Sequence, residues 1–213
     1  MRIGILGSGS GTNAEAIINS IKKCECPVEI GIIISDVEKA FILERGRKHG
    51  IPVRYIYPGK HKTWLEPDIE AEYTNVLKDS GVELVVLAGY MRIVKDSLLD
   101  AFPRKIINIH PALLPAFPGL QSWRQALDYG VRFTGCTVHF VDKGIDTGPI
   151  ILQAVVPVYD DDSPETLHAR IQVEEHRIYP EAIRLIAEGR IEVRDRRVVI
   201  NNSKENLKKG LYI

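Results

Sequence analysis

Residues 105–119, KIINIHPALLPAFPG, carry a short apolar strand straight into a loop stiffened by three prolines. Side chains alternate across a strand, so Asn108 and His110 point to one side of it and Ile107 and Ile109 to the other. Pro111, Pro115 and Pro118 fix φ and remove N–H donors, so neither a helix nor a central strand continues through the segment. The Leu114-Pro115 bond is a candidate cis peptide, because X–Pro bonds adopt that form at small cost. An amide and an imidazole at the carboxyl end of a strand stand where open α/β sheets hold their ligands. A lone histidine there reads as an ordinary rim residue; an acid supplied from elsewhere in the chain changes the weighing.

That acid is Asp146, in the stretch 142–149, DKGIDTGP, where Gly144, Gly148 and Pro149 mark a tight loop between two strands. On its own Asp146 reads as a turn residue bonding its own backbone. With Asn108 and His110 it completes an amide, imidazole and carboxylate set suited to acyl-type transfer. The amide and imidazole can donate to a carbonyl oxygen that becomes an oxyanion, and the carboxylate favours the charged imidazole. No serine has a GxSxG surround, so the attacking group is expected to belong to a substrate.

The amino-terminal stretch pairs with this one. Residues 1–6 form an apolar strand, residues 7–11 (GSGSG) a turn, and Thr12-Asn13-Ala14-Glu15 opens a helix to about Lys23. Free N–H groups and the positive end of a helix dipole make such a turn an anion cradle. Neither a full GxGxxG nor a Walker A pattern is present, and Asp36 is too loosely placed for a ribose-binding acid, so a monophosphate fits better than a dinucleotide.

The remainder alternates strand and helix. Strands are expected at 28–34, 51–55, 83–88, 134–141 and 150–156, and helices at 40–49, 69–78, 97–101 and 121–129, with a longer helix from Ser163-Pro164 to Ala187. Pro180 is expected to kink or break that last helix. Glu174-Glu175-His176 within it reads as a wet face, and Met91 and Ile93, by apolarity alone, as core. Residues 190–200 read as a polar hairpin around Asp195, and residues 201–213 as a lysine-rich tail.

Composition bounds the partners. With 213 residues, 45% hydrophobic and 26% charged, the chain is long enough for a substantial core, as one domain or two small ones. Its formal net charge of zero argues against a nucleic-acid backbone as main partner. No apolar run approaches the roughly 18 residues that span a bilayer, and the apolar start is too short for a signal peptide, so a cytoplasmic location is expected. Cys24, Cys26 and Cys136 are expected as reduced thiols, and the six histidines show no ligand spacing, so no metal is expected.

Five segments together carry a resemblance over essentially the whole length: GSGSGTN at 7–13, VVLAGYMRI at 85–93, INIHPALLPAFPGL at 107–120, DTGPIILQ at 146–153 and EEHRIYP at 174–180. The chain resembles the glycinamide ribonucleotide transformylases, the folate-dependent formyltransferases of purine synthesis. The NIHPALLP and D-x-GP pair is shared with other folate formyltransferases and formyl hydrolases, while GSGSGTN points to the glycinamide ribonucleotide enzymes.

The resemblance implies a three-layer α/β/α fold, with a mostly parallel sheet and one antiparallel strand. Residues 1–101 would form the phosphate half and 102–213 the folate half of a single domain, as a monomer or homodimer. It implies that Asn108, His110 and Asp146 are catalytic, with His110 donating a proton and Asp146 supporting it. Gly11, Thr12 and Asn13 would hold the ribonucleotide phosphate, and Gln172 and Glu175 its glycinamide end. Met91, Arg92, Ile93, Val94, Asn108 and Asp142 would meet the folate, with 10-formyltetrahydrofolate as co-substrate. One departure is that the arginine often found before the third helix is missing; KHKTWLEP (60–67) offers Lys60 and Lys62 instead. A formyltetrahydrofolate hydrolase is expected to carry an amino-terminal regulatory domain and a methionyl-tRNA formyltransferase a carboxyl-terminal domain with a basic face, and neither is expected here. A noncatalytic phosphate-binding module would survive loss of His110.

Overall fold

The computed structural model describes residues 1–201, so the expected lysine-rich tail lies, past Asn201, outside the described residues. The first half of the chain alternates strand and helix. β1 (Arg2–Leu6), α1 (Thr12–Lys22), β2 (Glu29–Ser35), α2 (Phe41–Lys48) and β3 (Val53–Tyr55) lead to α3 (Pro67–Asp79), β4 (Leu84–Leu87), α4 (Asp96–Ala101) and β5 (Ile106–His110). The second half holds α5 (Ser122–Tyr129), β6 (Phe133–Phe140), β7 (Ile150–Pro157), α6 (Pro164–Ala187) and a hairpin of β8 (Ile191–Arg194) and β9 (Arg197–Ile200) around Asp195.

Among the described residues the strands form one sheet in the order β3-β2-β1-β4-β5-β6-β7-β9-β8. β1 to β5 run parallel, and β6 runs against both β5 and β7. β6 is the expected antiparallel strand; the terminal hairpin adds β8, which runs against β9. Strand order reverses about β1, opening a crevice between the β1 and β4 ends, where doubly wound sheets bind ligands.

The sheet is covered on both faces, which is why β2 and β4 are continuous apolar runs. One core joins Ile3, Ile5, Val86, Ile107 and Ile109 to Ile17 of α1, Ile42 of α2, and Ile171 and Tyr179 of α6. The other joins Leu6, Val85, Leu87 and Ile106 to Tyr73 and Leu77 of α3 and Leu98 of α4. Alternation along β5 therefore assigns Asn108 and His110 to the α3/α4 side.

α6 begins at the expected cap, with Ser163 Oγ accepting from the Thr166 N–H and Thr166 Oγ1 accepting from the Ser163 N–H. It runs through Pro180 unbroken. Pro180 supplies no N–H, but Tyr179, Pro180, Ala182 and Ile183 are all buried, and their packing holds the helix where the ladder lacks one bond. Among the described residues no helix is long and apolar enough to cross a membrane.

Candidate active site

Three loops leave the carboxyl ends of β1, β4 and β5 side by side. Ser8 joins two of them: its N–H donates to Gly89 O at 3.0 Å, and its Oγ accepts from Met91 N–H at 3.0 Å. Gly11 caps α1 at φ 71°, and a Cβ there would sit 2.7 Å from Ile42, so the position requires glycine. No side chain caps α1, which leaves the first helical N–H groups open to an anion. Arg45 of α2 braces the turn: its Nε donates to Ser10 O at 2.8 Å, and Nη1 donates to Glu15 at 3.0 Å. With the Ser10 carbonyl drawn to Arg45, the trans peptide aims the Gly11 N–H the opposite way.

Asn13 connects this turn to α6 by donating from Nδ2 to Glu175 Oε2 at 2.9 Å. Glu175 is only 5% exposed, and burial pushes its carboxyl up to about 6 although the Asn13 bond pulls the other way. The expectation of a wet face therefore fails at Glu175, which shares the buried stripe of Ile171 and Tyr179. Asn13 Oδ1 is a buried acceptor with no partner among the described residues. Gln172 lies one turn before Glu175, half buried. One turn after it, the Tyr179 hydroxyl donates to Leu87 O at 2.8 Å and Ile107 O at 3.2 Å, seating α6 against β4 and β5.

His110 and Asp146 meet directly, and His139 links Asn108 to them. His110 is 4% exposed; its Nδ1 lies 3.4 Å from Asp146 Oδ2 and its Nε2 lies 2.9 Å from Phe117 O. Both ring nitrogens face acceptor oxygens, an arrangement that an imidazolium satisfies with two donors. Asp146, at φ 54°, is itself held by the Gly119 N–H, which donates to Oδ2 at 2.9 Å. The proline loop therefore touches both members of the pair. The Leu114-Pro115 bond is cis, and Thr137 Oγ1 accepts from Leu114 N–H and donates to Ala112 O at 2.7 Å.

His139 was not singled out by sequence reasoning. It stands opposite Asn108 in the β5/β6 register, as Thr137 stands opposite His110. Its Nδ1 lies 2.9 Å from Phe140 O and its Nε2 lies 3.3 Å from Asn108 Nδ2 and 3.7 Å from Asp146 Oδ1. Burial holds this imidazole below its ordinary range. Burial favours the neutral ring; with Nδ1–H donating to Phe140 O, Nε2 is the nitrogen placed to accept from the Asn108 amide. The antiparallel register that brings His139 here has no signal in local sequence.

The segment expected to meet folate divides. Met91 and Ile93 are 56% and 40% exposed, so they are not core, whereas Val94 is buried. The Arg92 side chain is largely buried against Asp36. Asp142 is committed to its own turn, its Oδ1 accepting from Gly144 N–H at 3.1 Å and Thr147 Oγ1 at 2.6 Å. Of the cysteines, Cys24 is exposed and Cys26 and Cys136 are buried, all free. Among the described residues, no group of three or more His, Cys, Asp or Glu side chains gathers as metal ligands do.

Comparison with known proteins gives the family. A formyl transferase family model matches residues 1–183. The phosphoribosylglycinamide formyltransferase of Bacillus subtilis is 39% identical over 183 residues, 86% of this chain and 93% of that protein. A glycinamide ribonucleotide transformylase structure from Symbiobacterium toebii is 51% identical, with a TM-score of 0.91, covering 95% of this chain and 94% of that one. The trifunctional purine biosynthetic protein adenosine-3 of Gallus gallus is 41% identical over 194 residues, 91% of this chain. This chain spans only 19% of that longer relative. The sheet order and these matches agree: the chain belongs to the formyl transferase family.

Proposed function

We propose that this protein transfers the formyl group of 10-formyltetrahydrofolate to the amine of glycinamide ribonucleotide. The observation that carries the reading is the His110–Asp146 pair, brought from β5 and the β6/β7 loop, with Asn108 joined to it through His139. The names of the relatives supply the ribonucleotide and the formyl transfer, the sequence resemblance supplies 10-formyltetrahydrofolate as donor, and the anion cradle at Gly11, Thr12 and Asn13 suits the ribonucleotide phosphate.

In this reading the substrate amine attacks the formyl carbon, and a C–N bond forms. Asn108 donates to the oxygen as it becomes an oxyanion; such a donor is typically worth about 2.7–4 kcal/mol. His110 exchanges the Phe117 carbonyl for the substrate and delivers a proton to the folate nitrogen as its bond to the formyl carbon breaks. The attacking amine gives up a proton in turn, and Asp146 balances the charge on His110 while the proton is in transit. By accepting one N–H, His139 keeps the Asn108 amide turned with its other N–H available. Glu175 and Gln172 receive the glycinamide end, and Met91, Ile93 and Val94, with the backbone of Arg92, line the folate side. The chain works as one unit, its phosphate half near residues 1–101 and its folate half beyond, and it operates in the cytoplasm without a metal.

The test is to supply both substrates and follow tetrahydrofolate, with and without the ribonucleotide. Product that forms only when the ribonucleotide is present is the expected result. Amine-independent release would make this a formyl hydrolase, and no turnover of either kind would leave a phosphate-binding module.

A further inference from the structure

Arg92 belongs to the segment assigned to folate, yet its guanidinium faces the protein. Its side chain is 10% exposed and that of Asp36 is 4% exposed. Arg92 Nε donates to Asp36 Oδ2 at 2.6 Å, and Nη1 donates to the carbonyl of His61. Asp36 follows β2, His61 lies in the loop between β3 and α3, and Arg92 follows β4. One planar fork thus joins three loops at the carboxyl edge of the sheet, geometry that an ammonium cannot reproduce. The other Asp36 oxygen is buried without a partner among the described residues, so the carboxylate's place depends on Arg92.

A second seam runs beside the first. Ile93 N–H donates to Thr63 O at 2.8 Å, and Trp64 forms a parallel bridge with Ile93. Lys95 Nζ lies 3.7 Å from the centre of the Trp64 ring, on which His61 stacks at 3.7 Å between ring centres. Residues 61–64 and 91–95 are therefore tied into one wall, with Met91 and Ile93 exposed on it.

We infer that Arg92 is a positioning residue: it sets the wall formed by residues 61–64 and 91–95, and through that wall the fit of the formyl donor, without contacting the donor through its side chain. The inference rests on the reading that this segment faces the folate. A pair that merely stabilised the fold would alter melting and leave the two substrates' KM values alike.

The experiment compares wild type, Arg92→Lys and the double variant Arg92→Met/Asp36→Asn, which leaves no buried charge unpaired. Each substrate is varied in turn, and amide hydrogen exchange is read at residues 61–66. The expected result is a rise of about tenfold or more in the KM for 10-formyltetrahydrofolate in both variants, with the ribonucleotide KM within about twofold. Exchange at 61–66 should quicken in the protein free of substrates. Equal rises in both KM values, or lower stability with both KM values unchanged, would overturn the inference. Wild-type protein inactive with these substrates would instead sink the functional reading. In that case exchange at 61–66 decides the coupling, and unchanged exchange in the variants would refute it.

Discussion

Replacing Glu175 by glutamine should make the protein more stable at neutral pH and less able to hold its ribonucleotide. Burial raises this carboxyl from its ordinary 4.5 to about 6, so ionisation is disfavoured in the folded state. A carboxyl raised in this way stabilises the fold below its unfolded value, and that contribution is lost as pH rises from about 4.5 through 6. The shift corresponds to about 2 kcal/mol of instability once both states are ionised, at pH 7 and above. Glutamine removes the charge, still accepts from Asn13 Nδ2, and brings N–H groups toward the unpartnered Asn13 Oδ1. The assay is urea or thermal unfolding of wild type and Glu175→Gln between pH 4 and 8. Below about pH 4.5 the two should be nearly equal. At pH 7.5 the variant should gain about 2 kcal/mol, roughly 4–8 °C in a chain of this size. A pH-independent difference, or a variant less stable at pH 7.5, would refute the reasoning. Such a cost in the free protein is what a buried carboxylate kept for a ligand is expected to carry.

Other substitutions separate the parts of the cleft. Asn108→Ala should lower kcat by about 10²–10³, the loss expected for an oxyanion donor, with little change in ribonucleotide affinity measured by calorimetry. Arg45→Gln frees the Ser10 carbonyl and should raise the ribonucleotide KM several-fold while sparing the KM for the folate. A larger effect on the folate would contradict the brace. Asp162 takes two hydrogen bonds from Arg170 at 2.7 Å, and that guanidinium holds its carboxyl well below the ordinary range. Its stabilisation is present above the ordinary carboxylate range and lost as pH falls below it, so Asp162→Asn should cost about 2 kcal/mol at pH 7. That difference should shrink in acid unfolding curves below about pH 3.

The strand-to-proline-loop segment disclosed Asn108 and His110 because alternation is a local property, and the cis bond at Leu114-Pro115 followed from chemistry local to proline. The resemblance named Glu175, but its burial was hidden by its polar neighbours, although its spacing from Ile171 and Tyr179, four residues either side, placed it on the buried stripe of α6. Met91 and Ile93 went the other way, because apolarity does not distinguish a core face from a cleft wall. Arg92 and His139 were illegible for a different reason. Their roles come from partners dozens of residues away, and the register that supplies those partners is a tertiary fact.

The most direct measurement is a single-turnover quench of formyl transfer with the ribonucleotide saturating, comparing wild type with His110→Ala. The account predicts a transfer rate lower by about 10²–10⁴, the range for loss of a positioned acid–base group, at an unchanged ribonucleotide Kd. A variant transferring within about tenfold of wild type, or one whose whole loss lies in ribonucleotide binding, would contradict the assignment of His110 to the chemistry.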